Sequence, residues 1–320
     1  MLRQKDSYVL SEQTFRAMGC RSRVVVAGER TDELLEWALE RLEQLESCWS
    51  RFLPDSEISR VNKATGCLTM LSKDAFTLID HGVRAWAATS GLFDPLMLDE
   101  LQRQGYDRSH LALDPPRFEP QPYLAETGRT ERASYCDDIQ LYPTLPAVLI
   151  PVGTMFDPGG VGKGLAADIV ATELLDRGAS GAMVDLGGDI RVVGDHPDGG
   201  TVWTIVVDNP LAPGEDRIRI GLSDGGVATS SQVLRRWATA SGDRHHLLDP
   251  HTGQPATSPV AAAVVAAGAT WWAEVVAKAA LIAGFNGGEH VIREGEAVGT
   301  LFGFDGTERD IGLIAAASRA

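Results

Sequence analysis

The chain has 320 residues, 44% apolar and 23% charged, a balance that excludes global disorder and leaves ample material for a core. Its 29 basic side chains against 44 acidic ones give a net charge of −15. That excess repels phosphate backbones and argues against nucleic-acid binding, although a local cationic pocket can still hold an anionic ligand.

Residues 8–18 and 22–27 read as strands, short and rich in β-branched side chains, with Gly19 between them. Thr31-Asp32 then opens an amphipathic helix with Leu34, Leu35, Ala38, Leu39, Leu42 and Leu45 on one face. A second helix is predicted from near Ser72, turning Phe76, Ile79, Val83 and Trp86 inward and stopping at Gly91. Residues 101–144 are weakly patterned and rich in Pro, Arg and Asp. They read as a long surface connection with one or two short strands. Residues 157–178 combine a glycine turn with a helix; 182–186, 201–207, 217–222 and 244–248 read as strands; 270–283 is a helix and 298–304 a late strand. Hairpin-like neighbours with helices in blocks favour an α+β fold, and no clean linker divides residues 1–320, so a single domain is expected.

Cys20, Cys48, Cys67 and Cys136 are scattered with no CxxC pair, as thiols of a reducing compartment are. The start, MLRQKDSYVLSEQ, lacks the apolar core of a secretion signal. The longest apolar stretch, residues 260–268, is too short to span a bilayer. The expectation is a cytoplasmic protein with no membrane partner.

Several motifs carry chemistry. In Asp157-Pro158-Gly159-Gly160-Val161-Gly162-Lys163-Gly164-Leu165-Ala166-Ala167-Asp168, glycines at a helix start leave room for an anion against backbone amides, and Lys163 adds a charge. The plain alternative is a packing turn; neither GxxxxGK[ST] nor GxGxxG is present. Asp185-Leu186-Gly187-Gly188-Asp189 is either a strand-to-turn transition or a ligand-facing bulge. Adjacent His245 and His246 point to opposite faces of a strand, which weakens any zinc site but leaves one histidine to act as acid, base or phosphate partner. Phe52 offers a stacking surface, and Phe93-Asp94 a pocket wall.

In this order the segments resemble the FAD:protein FMN transferase family (ApbE-type flavin transferases). Met18-Gly19-Cys20 is similar to the family's Met-Gly-Thr, Ser56-Glu57-Ile58-Ser59-Arg60-Val61-Asn62 to its Ser-Glu-(Ile/Val)-Ser-x-(Leu/Ile)-Asn, and Leu92-Phe93-Asp94-Pro95 to its Ala-Phe-Asp-Pro. Residues 157–168, Leu186-Gly187-Gly188-Asp189 and His246-Leu247-Leu248-Asp249-Pro250-His251-Thr252-Gly253 match three further motifs, so the likeness runs from about Phe15 to Gly284. It implies an α+β fold of largely antiparallel sheets flanked by helices, with an FAD cleft between two lobes and Mg²⁺ on the pyrophosphate. It also implies transfer of FMN from FAD to a Thr or Ser hydroxyl of a partner flavoprotein, with release of AMP. By position it nominates Met18, Phe52, Leu92, Phe93, Asp94, Asp157, Gly160, Lys163 and Leu248 as FAD contacts, and His246 for the transfer.

One departure matters. The family's late helix supplies Asp and, four residues on, Thr as metal ligands, with the Gly160 carbonyl as a third contact; here the two side chains are Glu274 and Lys278. Glutamate ligates Mg²⁺ but a protonated lysine does not. The expectation is that Lys278, held by Glu274, takes the metal's place. Cys20 for Thr, and Ser230-Ser231-Gln232 for Ser-Gly-x-Tyr, are lesser departures. The competing readings are a protein that stores FAD without transfer and an FAD pyrophosphatase.

Overall fold

The computed structural model describes residues 9–106, 134–233, 235–239 and 242–312. Strands β1 (Val9–Ala17) and β2 (Cys20–Gly28) come first, then helices α1 (Thr31–Trp49) and α2 (Glu57–Lys63), strand β3 (Thr69–Met70), and helices α3 (Lys73–Ala88) and α4 (Leu98–Arg103). Strands β4 (Gln140–Tyr142) and β5 (Ala147–Leu149) precede helix α5 (Gly162–Asp176). Ten strands follow: β6 (Ala179–Leu186), β7 (Asp189–Gly194), β8 (Trp203–Asn209), β9 (Ala212–Leu222), β10 (Gly225–Ser231), β11 (Arg236–Thr239), β12 (Gly242–His245), β13 (Leu248–Asp249), β14 (Gln254–Pro255) and β15 (Val260–Ala267). Helix α6 (Thr270–Glu294) and strands β16 (Val298–Gly303) and β17 (Glu308–Ile311) complete the order.

The main sheet runs β1-β2-β6-β7-β10-β15-β16-β17, each neighbouring pair antiparallel, with helices packed on one face: the expected α+β architecture. Side-chain alternation assigns the faces. Val24 and Val26 of β2 join the core beneath α1 and α5, whereas Val25 meets Trp203, Ile205, Ile218 and Ile220 of the β8–β9 hairpin on the other face. In β15, Ala263 and Val265 pack on α6 while Ala262, Val264 and Ala266 face the hairpin. Burial on both faces removes the polar alternation that marks a strand, so this apolar run was not among the strands expected.

Other elements depart from expectation for local reasons. Ser72 caps α3 by accepting from the Ala75 amide at 3.2 Å, as the start signal implied. Its buried face, however, is Ala75, Leu78, Ile79, Gly82 and Ala85, with Phe76, Val83 and Trp86 half-buried at the edge. A Cβ at Gly82 would lie 2.9 Å from a Phe156 ring carbon, so the helix approaches through its small residues. The surface connection is anchored at both ends, because Leu101, Tyr106, Cys136 and Ile139 are buried; its residues 107–133 lie outside the described residues. The strand expected over 244–248 divides: β12 stops at His245, and Leu248 begins β13, paired with β14. Helix α6 runs past residue 283 to Glu294, broken by Gly284 at φ 74°.

Helices α5 and α6 are fastened by an exchange of carboxylates. Asp168 of α5 accepts from the first amides of α6, Thr270 and Trp271, each at 2.9 Å. Glu274 of α6 accepts from the Gly164 amide in the first turn of α5, also at 2.9 Å. The helix starts touch: a Cβ at Gly164 would stand 2.6 Å from the Thr270 carbonyl oxygen. Each carboxylate serves as the cap that the other helix lacks on its own sequence, since neither N-cap residue makes a side-chain cap. Asp168→Ala is therefore expected to lower stability by about 2 kcal/mol, read as a lower urea midpoint with an unchanged m-value.

Candidate functional site

Two tight turns form one wall of a cleft. Register Ala17↔Cys20 leaves Met18 (φ 50°) and Gly19 (φ 71°) as a two-residue hairpin loop, and Leu186↔Asp189 does the same for Gly187 (φ 71°) and Gly188 (φ 94°). Positive φ at both central residues matches the right-handed twist of the flanking strands. The turns sit side by side, because β2 pairs with β6, and the Cys20 side chain occupies the space a Gly187 side chain would need. The Leu-Gly-Gly-Asp motif is thus both a hairpin turn and a cleft wall.

Opposite, Asn62 positions the Asp157 loop. Its side-chain amide donates to the Phe156 carbonyl at 2.9 Å and its oxygen accepts from the Phe156 amide at 2.8 Å, a two-point grip on the residue before Asp157. Arg51 pairs with Asp157 at 3.0 Å; both side chains are under a tenth exposed. The guanidinium lies 4.4 Å from the Phe52 ring centroid and 4.8 Å from that of Tyr106, which stacks on Trp237 at 5.3 Å. Arg51, Tyr106 and Trp237 were not nominated by the sequence. An arginine beside the singled-out Phe52 was a usable signal, whereas Tyr106 lay in the stretch read as surface.

The glycine turn differs from expectation in its hydrogen bonding. The Val161 and Gly162 amides donate to the Pro158 carbonyl and the Gly164 amide to Glu274, so these three are engaged within the protein. Lys163 is held by Asp189 and by Glu274 at 2.9 Å, not left open to an anion. Glu274 therefore grips Lys163 and Gly164, not Lys278. Gly160 (φ 93°) is required by close approach: a Cβ there would lie 3.1 Å from the Lys278 Nζ and from a Phe93 ring carbon. The Lys278 ammonium rests 5.1 Å from the Phe93 ring centroid. Burial pushes it below the ordinary lysine value, while Asp157, Glu274 and Asp94 pull it back up.

The histidines divide as their adjacency implied. The buried His245 ring meets the Ala256 carbonyl through Nε2 at 3.2 Å, and burial pushes it down to about 4. His246 faces the cleft. Burial, then Arg235, His245, Lys278 and Lys163, push it well below the ordinary value, and its buried Nδ1 has no partner among the described residues. The result is a neutral imidazole.

The cleft has a volume of about 420 Å³ and brings together Met18, Phe52, Asp157, Gly160, Lys163, His246, Glu274 and Lys278 from among the nominated residues. Leu92, Phe93, Asp94 and Leu248 do not line it. Phe93 is fully buried beneath Lys278, Asp94 is turned inward to accept from the Leu96 amide at 2.8 Å, and Leu248 packs with Met97, Leu101, Tyr106 and Trp237. Leu92 sits in the turn after α3, its amide bonded to the Thr89 carbonyl.

The sequence profile described as the ApbE family matches residues 18–302. The chain belongs to the ApbE family. A FAD:protein FMN transferase of Haemophilus influenzae is 28% identical over 254 residues, covering 76% of this chain and 70% of that protein. One from Treponema pallidum is 24% identical over 310 residues, covering 90% and 82%. Among solved structures, the ApbE protein of Thermotoga maritima superposes with a TM-score of 0.80 at 23% identity, covering 94% of this chain and 97% of that one. The flavinyl transferase ApbE of Pseudomonas stutzeri gives 0.75 at 19%, covering 96% of each. Both establish the ApbE fold for this chain.

Magnesium does not fit the residues this ApbE-family chain places at Gly160. Both Glu274 oxygens are occupied, an ammonium stands against the turn, and no group of three His, Cys, Asp or Glu able to hold a metal occurs among the described residues. The expected ligation by Gly160 and Glu274 is therefore not supported.

The buried histidines make stability acid-sensitive. The unfolded chain takes up protons near pH 6.5 while folded His245 and His246 resist, so the unfolded state binds more protons and stability falls as pH drops from 6.5 towards 4. Urea midpoints measured across that range should show the slope, and His246→Gln should make it shallower by up to about 1.4 kcal/mol per pH unit.

Proposed function

We propose that this chain is a FAD:protein FMN transferase that passes FMN to a Thr or Ser hydroxyl of an acceptor flavoprotein and releases AMP. The observation that carries the reading is a neutral His246, with an unpartnered Nδ1, in the same cleft as Lys278 within an ApbE fold. The acceptor oxygen bonds to the FMN phosphorus, the bridging P–O bond breaks, and the hydroxyl proton passes to the His246 imidazole while AMP leaves with the bridging oxygen. Such transfer needs positioning and charge stabilisation more than covalent help from the protein. Lys278 supplies positive charge beside the glycine turn, where the family resemblance implied a metal, and Lys163 with its two carboxylates holds the turn in place. Phe52 gives an exposed aromatic face for a ring of FAD. Four free thiols agree with a reducing, cytoplasmic setting. No helix among the described residues is long and apolar enough to cross a membrane.

Incubating the protein with FAD and a flavoprotein acceptor domain, with EDTA, should yield protein-bound FMN and AMP. His246→Ala should slow transfer by about 100- to 10,000-fold while FAD affinity stays within about twofold. Free FMN with AMP would instead establish hydrolysis, unchanged FAD would establish storage, and strict dependence on added Mg²⁺ would remove Lys278 from the role given to it.

A further inference from the structure

Among the described residues four cationic side chains line the cleft, and they are not equivalent. Arg51 is committed to Asp157, and Lys163 to Asp189 and Glu274. Arg235 and Lys278 have no carboxylate at ion-pair distance among the described residues, although both lie close enough to His246 to act on it electrostatically. They come from separate elements: Lys278 from α6, Arg235 from the segment between β10 and β11.

That segment has a fixed base. The Gln232 amide donates to the Ala261 carbonyl at 2.9 Å, and its side chain donates to the carbonyls of Ser258 at 3.0 Å and Val260 at 2.6 Å. Ser231 accepts from the Val233 amide at 3.0 Å. Arg235 then adopts a left-handed backbone, φ 53°, which is unfavourable for a non-glycine residue and tends to occur where a side chain is held for function. A half-buried arginine with no carboxylate at ion-pair distance is suited to receive an anion.

We propose that Arg235 and Lys278 jointly hold the diphosphate bridge of the dinucleotide, Arg235 as a planar fork across phosphate oxygens and Lys278 as a point charge. The assignment rests on the transferase reading and adds Arg235, which the sequence motifs did not nominate. Two positive charges with no carboxylate at ion-pair distance among the described residues match the two negative charges of the bridge, whereas Arg51 and Lys163 are already taken up by Asp157, Asp189 and Glu274.

The test is a binding titration in EDTA with three probes, FAD, ADP and riboflavin, on wild type, Arg235→Gln and Arg235→Lys. Arg235→Gln should weaken FAD and ADP by about tenfold or more and leave riboflavin, which has no phosphate, within about twofold. Arg235→Lys should recover part of the loss. Equal ADP affinity in wild type and Arg235→Gln would overturn the proposal, as would a parallel loss of riboflavin, which marks a structural role. Wild type that binds ADP but neither FAD nor riboflavin would sink the transferase reading while leaving the Arg235 comparison intact.

Discussion

Asp168 and Glu274 each leave their own helix to cap the other, and the site depends on that exchange. A helix start carries unsatisfied amides and a partial positive charge, so two starts brought into contact repel unless an anion enters each. Gly164 lets the backbones meet and Thr270 receives them; four residues further along each helix stands the carboxylate that bonds the opposite start. The geometry fixes α5 relative to α6, and with them the glycine turn, Lys163 and Lys278. The same Glu274 also reaches Lys163, so the fastening of the helices and the ionic lining of the cleft share a side chain.

The cleft illustrates how a strongly acidic chain can hold an anionic substrate. Its cations sort into two kinds. Arg51 and Lys163 are neutralised in place and act as struts for the Asp157 loop and the hairpin that ends at Asp189. Lys278 packs against Gly160 and the Phe93 ring, with no carboxylate at ion-pair distance among the described residues. Net charge over the whole surface says little about such a pocket, because short-range fields decide what enters.

Much of the fold was legible from the chain because its signals are local. The leucine face of α1, the Ser72 cap and the paired-glycine hairpin each depend on neighbouring residues. The family motifs likewise located the cleft, since Met18, Asp157, Lys163 and His246 all reach it. What escaped depends on pairings across the chain. Spacing of four suggested that Glu274 would grip Lys278, but Lys163, 111 residues away, competes for it and wins. Arg51 finds Asp157, and Tyr106 finds Trp237, through contacts that no window of adjacent residues displays. The double-sided burial of β15 erased the alternation by which a strand is read. Phe93 and Asp94 sit one layer below the surface to which their motif had assigned them.

The crowding between Gly160 and Lys278 has an evolutionary corollary. A side chain at the turn would crowd the lysine and the aromatic ring beneath it, so a change at either position alters the room left for the other. A descendant that traded the lysine for a shorter residue would open a hollow beside the bend, yet the left-handed backbone and the Phe93 ring would still reserve the position for glycine.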